Sequence, residues 1–259
     1  MSRALVLTYH AIEEREGPLF VDPETFAVHL DCIAEADADA VTVSELVAAL
    51  RSRGRRRPAI AVTFDDGFAS VVRTAAPLLA ERGIPATVYC VAGHLGRLND
   101  WPSALRGSPL LELADARELA ELAAAGFEIG CHGMTHAPLR GAKEESVEQE
   151  LVEAREVLQR EVRADVRSFA YPYGAAPSPD ARRVVARTYE SACTTTLGYV
   201  THGADEYALP RVDAHYVRRP RLLRSALAGS LGPYLLARRL GAGARRGLRR
   251  DYSVTGTRS

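Results

Sequence analysis

Short, apolar, β-branched runs recur along the chain, each followed by a longer stretch with the punctuation of a helix. This alternation limits the fold more than any other feature. The runs are ALVLTY from Ala4, AIAVTF from Ala59, ATVYCV from Ala86, FEIGC from Phe127, SFAYP from Ser168, SACTT from Ser191 and a weaker ALPRV from Ala208. Between them, Asp22-Pro23 offers an N-cap and an N1 proline, and Ser44 opens SELVAALRSRG. Asp115 with Glu118 reads as a capping box, Ser178-Pro179 opens another helix, and Gly83 and Gly126 sit where C′ glycines belong. Strand–helix alternation of this kind builds a parallel sheet. About seven such units in 259 residues fit one closed or nearly closed α/β barrel better than two domains. The expected layout is a barrel over residues 1–219, followed by a basic helical extension over residues 220–259.

Composition narrows the partners. Thirty-three basic and thirty-three acidic residues cancel, so no global field points to nucleic acid or to an acidic partner. The four cysteines are scattered and form no C-x-x-C pair, which argues against a disulfide framework and for a reducing compartment. The opening stretch MSRALVLTYHAIEE lacks the length of a signal h-region and its cleavage site. No apolar run approaches the roughly 18–20 residues that span a bilayer. A cytoplasmic protein is expected.

In parallel barrels, reactive groups project from the C-terminal ends of strands. Here His10 ends the first run, Asp65 and Asp66 the second, and Cys131 and His132 a later one, while Tyr173 follows SFAYP. Polar loops explain one such residue readily, and all of them less readily. His132 and His136 are four apart in CHGMTHAPL. One turn of helix would put both imidazoles on one face, and Pro138 restricts that turn to the strand mouth. Two imidazoles and one carboxylate make a facial set for a divalent metal, with positions left for water and substrate. Alone, H-x-x-x-H reads as one exposed and one satisfied histidine, and DDG as a capped turn; together in a strand context they favour a site. Adjacent acids leaving a strand point in different directions, so one can bind a cation while the other acts as a base. Zinc is the first expectation, with cobalt, nickel or iron also suited to the set. Cys131 reads as a small buried filler rather than a ligand.

TFDDG (Thr63–Gly67), HGMTH (His132–His136) and FAYPYG (Phe169–Gly174) resemble, in order, the first three motifs of the polysaccharide deacetylase family. This is the NodB-homology group, or carbohydrate esterase family 4. The resemblance implies a distorted (β/α) barrel, with Asp65 as catalytic base and Asp66, His132 and His136 as metal ligands. It implies an N-acetylated saccharide as substrate and removal of its acetyl group by metal-activated water. The backbone N–H of Tyr173 would stabilise the oxyanion. Two positions depart from the family pattern. Gly133 stands where a Ser or Thr hydroxyl supports the loop, and Ala170 where an Arg orients the base. Arg211, in LPRVD, is the residue expected to reach that carboxylate instead, its alternative being a structural ion pair. The late L-x-x-H motif that supplies the acid is not evident. His10, in LTYHAI, resembles the YH element of the poly-N-acetylglucosamine deacetylase-like branch and is expected in that role.

From Ala214 to Arg250 the chain carries ten arginines and no acid, interrupted by Gly232-Pro233. Such a basic amphipathic segment suits either packing on the barrel or peripheral contact with the inner face of an anionic membrane. The leading expectation is a metal-dependent deacetylase of an N-acetylated glycan or its precursor. Hydrolysis of another amide or of an O-acetyl ester remains an alternative, as does an inactive glycan-binding module. A non-haem iron oxygenase also uses two histidines and a carboxylate, but its ligand order and all-β scaffold do not match.

Overall fold

The computed structural model describes residues 3–52, 57–104, 107–140, 142, 144–174 and 178–238. Its strands are β1 (Ala4–Tyr9), β2 (Ala11–Ile12), β3 (Phe20–Val21), β4 (Asp39–Ala40), β5 (Ala59–Phe64), β6 (Ala86–Cys90), β7 (Glu128–Cys131), β8 (Ser168–Ala170), β9 (Ser191–Leu197) and β10 (Leu209–Asp213). Seven of them close a parallel ring in the order β1, β10, β9, β8, β7, β6, β5, and β5 returns to β1 with Ala4 opposite Ala59 and Tyr9 opposite Phe64. The expected barrel of about seven strands is therefore present. β4 pairs with the first two residues of β5, below the part that β6 occupies. The ring is irregular where β9 meets β10, because its register shifts between Leu209 and Arg211.

The helices are α1 (Pro23–Ala34), α2 (Val43–Arg51), α3 (Ala76–Ala80), α4 (Ala116–Ala124), α5 (Glu144–Glu148), α6 (Ala154–Val162), α7 (Pro179–Thr188) and α8 (Pro220–Leu227). Asp22 caps α1 by accepting from the Thr25 N–H at 2.7 Å, Asp115 and Glu118 form the capping box of α4, and Ser178 caps α7. One cap differs from the sequence expectation. Thr42, not Ser44, opens α2, because Thr42 and Glu45 form a reciprocal capping box. Ser44 instead gives its hydroxyl and N–H to Glu128 at 2.7 and 3.0 Å. That carboxylate also accepts from Thr87 and Ser168. It closes the N-terminal end of the barrel with four hydrogen bonds.

Strand periodicity sorts the core into two layers. Leu5, Leu7, Ile60, Val62 and Phe64 face outward under the helices. Ala4, Val6, Ala59 and Ala61 face the barrel axis with Tyr89, Ala170, Cys193 and three side chains of α2. Tyr89 fills so much of the axis that Gly130 has no room for a side chain: a Cβ there would lie 2.4 Å from the Tyr89 ring. The inward line becomes polar toward the C-terminal end, passing through Thr8 on β1 and through Thr63 to Asp65 on β5. A buried strand thus ends in a carboxylate because its inward face opens onto the mouth.

The described part of the C-terminal extension packs on the barrel. Leu223, Ala226, Leu231 and Leu235 are buried, and α8 lies against α1. Arg218 binds Asp22 and the Phe20 carbonyl, and Arg224 binds Glu35. The more arginine-rich stretch 239–250 lies outside the described residues. Among those described, no helix is long and apolar enough to cross a membrane.

Candidate metal and catalytic site

At the end of β5 the chain turns through two left-handed residues, Asp66 (φ 71°) and Gly67 (φ 75°). Gly67 passes so close to β6 that a Cβ would lie 3.2 Å from Cys90 Sγ and 3.3 Å from Cys90 Cα. A left-handed non-glycine residue costs on the order of 1–3 kcal/mol, and such strain gathers where a side chain must be aimed. Here it sends the two acids to different partners.

Asp65 continues the inward line of β5 and meets Arg211, which comes from β10. Arg211 Nη1 and Nη2 donate to Asp65 Oδ1 and Oδ2, both at 2.7 Å. The guanidinium is itself held: Nε donates to the Thr194 carbonyl at 3.0 Å, and its carbon lies 5.8 Å from the centre of the Tyr89 ring. Burial opposes ionisation of Asp65, but the charge and hydrogen bonds of Arg211 together with the nearby His132 outweigh it and lower the carboxyl below its usual range. Arg211 therefore sits where its sequence position suggested and meets the carboxylate that Ala170 cannot reach.

Asp66 faces the two histidines. Its Oδ1 is 3.4 Å from His132 Nε2 and 3.2 Å from His136 Nε2. Burial opposes its charge too, yet hydrogen bonding to His132 and His136 holds it well below the usual carboxylate range. His132 follows β7, and its Nδ1 donates to the Ala170 carbonyl at 2.8 Å, which aims Nε2 at Asp66. His136 does not arrive by a turn of helix, as its spacing suggested. The segment from His132 to His136 is a loop with Gly133 at φ 91° and His136 at φ 56°. Its N–H groups are taken by Glu150, with Met134 N donating to Oε2 at 2.8 Å and Thr135 N to Oε1 at 3.1 Å, so no helical ladder forms.

His136 is packed on both sides. Trp101 stacks on it at 4.3 Å between ring centres, and Tyr173 meets it edge-on at 4.6 Å. The Tyr173 hydroxyl donates to the Ser103 carbonyl at 2.7 Å, and Ser103 Oγ donates to the His136 carbonyl at 2.8 Å. Trp101 and Glu150 escaped the sequence reading. The only available sign for Trp101 was that it is the single tryptophan of the chain. Cys131 stays outside the cluster, and burial pushes its thiol up to about 12, as suits a filler.

His10, Asp65, Asp66, Trp101, His132, His136 and Tyr173 line one cavity of about 500 Å³ at the mouth of the barrel. All the sequence-derived candidates thus meet in one place, Arg211 just beneath it. The donor set fits a divalent cation. One ligand atom each from Asp66, His132 and His136 lies within 4.8 Å of the others, and all three residues are buried. Metal–ligand bonds of about 2.0–2.1 Å place neighbouring donors roughly 3.3 Å apart in a tetrahedral set, close to the two carboxylate–imidazole separations above. Two nitrogens and an oxygen suit borderline ions such as zinc.

Fold and site together define a closed parallel α/β barrel that gathers two histidines and a carboxylate beside a second, arginine-clamped carboxylate. The polysaccharide deacetylase family model matches residues 52–190, and the chain belongs to that family. His10 and Arg211 lie outside the matched span. The chain is 22% identical over 232 residues to the poly-β-1,6-N-acetyl-D-glucosamine N-deacetylase of Staphylococcus epidermidis, covering 81% of this chain and 78% of that one. Its fold is similar to that of the deacetylase PplD of Streptococcus pyogenes in complex with acetate, with a TM-score of 0.75 and 21% identity over 87% of this chain and 98% of that one. It is also similar to IcaB from Ammonifex degensii, with a TM-score of 0.74 and 24% identity over 89% and 97% of the two chains.

Proposed function

We propose that the protein is a metal-dependent hydrolase that removes N-acetyl groups from an amino-sugar-containing glycan or glycan precursor. The observation that carries this reading is the convergence of Asp66, His132 and His136 beside the clamped Asp65 at the floor of one cavity. Family membership and the relatives named above support it. A divalent cation held by Asp66, His132 and His136 supplies Lewis-acid polarisation of the acetyl carbonyl and lowers the pKa of water from about 15.7 toward roughly 7.

The chain's own groups do the rest. Asp65 accepts the proton of the attacking water, and Arg211 fixes both carboxylate oxygens so that one rotamer is presented. The backbone N–H of Tyr173, in a left-handed residue at φ 57°, is the donor to the carbonyl oxygen as negative charge develops. His10, at the end of β1 and on the same cavity, delivers a proton to the departing amine. Trp101 and Tyr173 exclude water from the His136 side. The same groups serve an acetyl ester equally well, with an alcohol leaving. An inactive binding module is not favoured, since Arg211 and Glu150 supply the contacts that Ala170 and Gly133 lack. Acetate release from a panel of N- and O-acetylated saccharides by metal-stripped and metal-reloaded protein tests the reading. Metal-dependent release with formation of free amine is expected; no release from any substrate after reloading overturns it.

A further inference from the structure

We infer that Glu150 is a positioning residue that holds the His132–His136 loop in its ligand-presenting shape, in place of a hydroxyl at position 133. The inference rests on the reading of Asp66, His132 and His136 as a metal site. Glu150 is only 5% exposed, and its carboxylate accepts from Met134 N–H, from Thr135 N–H and from the Thr135 hydroxyl. Those donors belong to two of the three residues that lie between the histidines. Among the described residues Glu150 forms no ion pair with an arginine or lysine, so loop donors alone satisfy this buried charge.

Position 133 is fitted to this arrangement. A Cβ on Gly133 would lie 2.6 Å from Glu150 Oε2, and the backbone there is left-handed. Glycine at 133 and glutamate at 150 therefore act together, since a side chain at 133 would be strained and would push the Glu150 carboxylate off its present position. The opposite edge of the loop is fixed by backbone. Ala92 N donates to the Gly133 carbonyl and Gly93 N to the Met134 carbonyl, both at 2.9 Å. Gly93 approaches so closely that a Cβ would sit 2.6 Å from that oxygen. Glu150 itself lies in a widened π turn, Gln149–Glu153, between α5 and α6. Such one-turn insertions re-aim side chains and recur at functional sites.

Partners that orient metal ligands from outside typically change metal affinity about 10–100-fold when removed. Cobalt(II) titration of the full chain, followed by its visible absorption, tests this directly and needs no substrate. Glu150→Ala is expected to weaken cobalt binding about 10–100-fold, and Glu150→Gln, which keeps one acceptor oxygen, to fall between. Circular dichroism should remain that of the unaltered protein. If folded Glu150→Ala binds cobalt as tightly as the unaltered protein, the inference is wrong and Glu150 serves stability alone. Should Glu150→Ala fail to fold, Glu150→Gln and Thr135→Val take its place, and unchanged affinity in both overturns the role. Absence of cobalt binding by the unaltered protein is a different failure, since it removes the metal site itself.

Discussion

Asp65 and Asp66 share a peptide bond and do not share a job. The left-handed turn at Asp66 separates their surroundings: a guanidinium for one, two imidazoles for the other. Asp65→Asn keeps shape and removes the proton acceptor, so turnover should fall about 10²–10⁴-fold while metal content, measured by atomic absorption, stays the same. Substantial activity in that variant would show that another group takes the proton. Arg211 sets a sharper test, because lysine preserves charge and loses the two-pronged geometry. Arg211→Lys should lower kcat at least about tenfold with little change in KM, the sign that a positioned base and not substrate binding was lost. Equal kcat would reduce Arg211 to a structural ion pair.

The elements were readable where local pattern decides them. All seven barrel strands coincide with short, mainly apolar runs, because a strand largely buried on both faces must be apolar along most of its length. The Asp-Asp pair and the two histidines were legible because their residue types are costly to bury without a purpose. The loop between the histidines was not. Its shape is set by Glu150, and a contact across fourteen or more intervening residues leaves no trace in local periodicity. Trp101 was missed for the same reason, since its partner His136 lies 35 positions away. Arg211 was found only because a carboxylate lacked its expected partner. The barrel axis offers a test at this scale. Gly130→Ala drives a methyl into the Tyr89 ring and should destabilise the protein by about 1–3 kcal/mol, measured by urea denaturation. Loss below about 0.5 kcal/mol would mean that β7 moves aside freely.

Across the whole molecule, His29 joins the first helix, the first strand and the C-terminal segment. The Arg218 carbonyl can only accept, so His29 Nε2–H donates to it at 2.8 Å and Nδ1 accepts from the Tyr9 hydroxyl at 3.0 Å. Burial pushes the His29 pKa below its ordinary 6.5. The unfolded chain then binds this proton more readily than the folded one. Stability from this group is complete above about pH 6.5 and is lost as the pH falls through the lower folded value. Thermal melts between pH 5 and 7.5 should show a steeper acid-side fall in Tm for the unaltered protein than for His29→Gln. Parallel curves would discard the linkage. The C-terminal segment calls for a similar choice of variant. Deleting it exposes Leu223, Leu231 and Leu235, so Arg219→Glu with Arg221→Glu is the better probe of the proposed membrane contact. Reduced co-sedimentation with anionic vesicles is expected, and equal partitioning would dismiss that surface.

The ring closes between β1, the first of its strands, and β10, the last, and the opening is shared by both. His10 enters from the earliest strand and Arg211 from the latest. A chain without β10 would hold Asp65 without its guanidinium partner and the barrel without a seam. Competence for chemistry is consequently acquired in one step, when β10 docks. Heating that frays this last seam should extinguish catalysis before the helical signal declines.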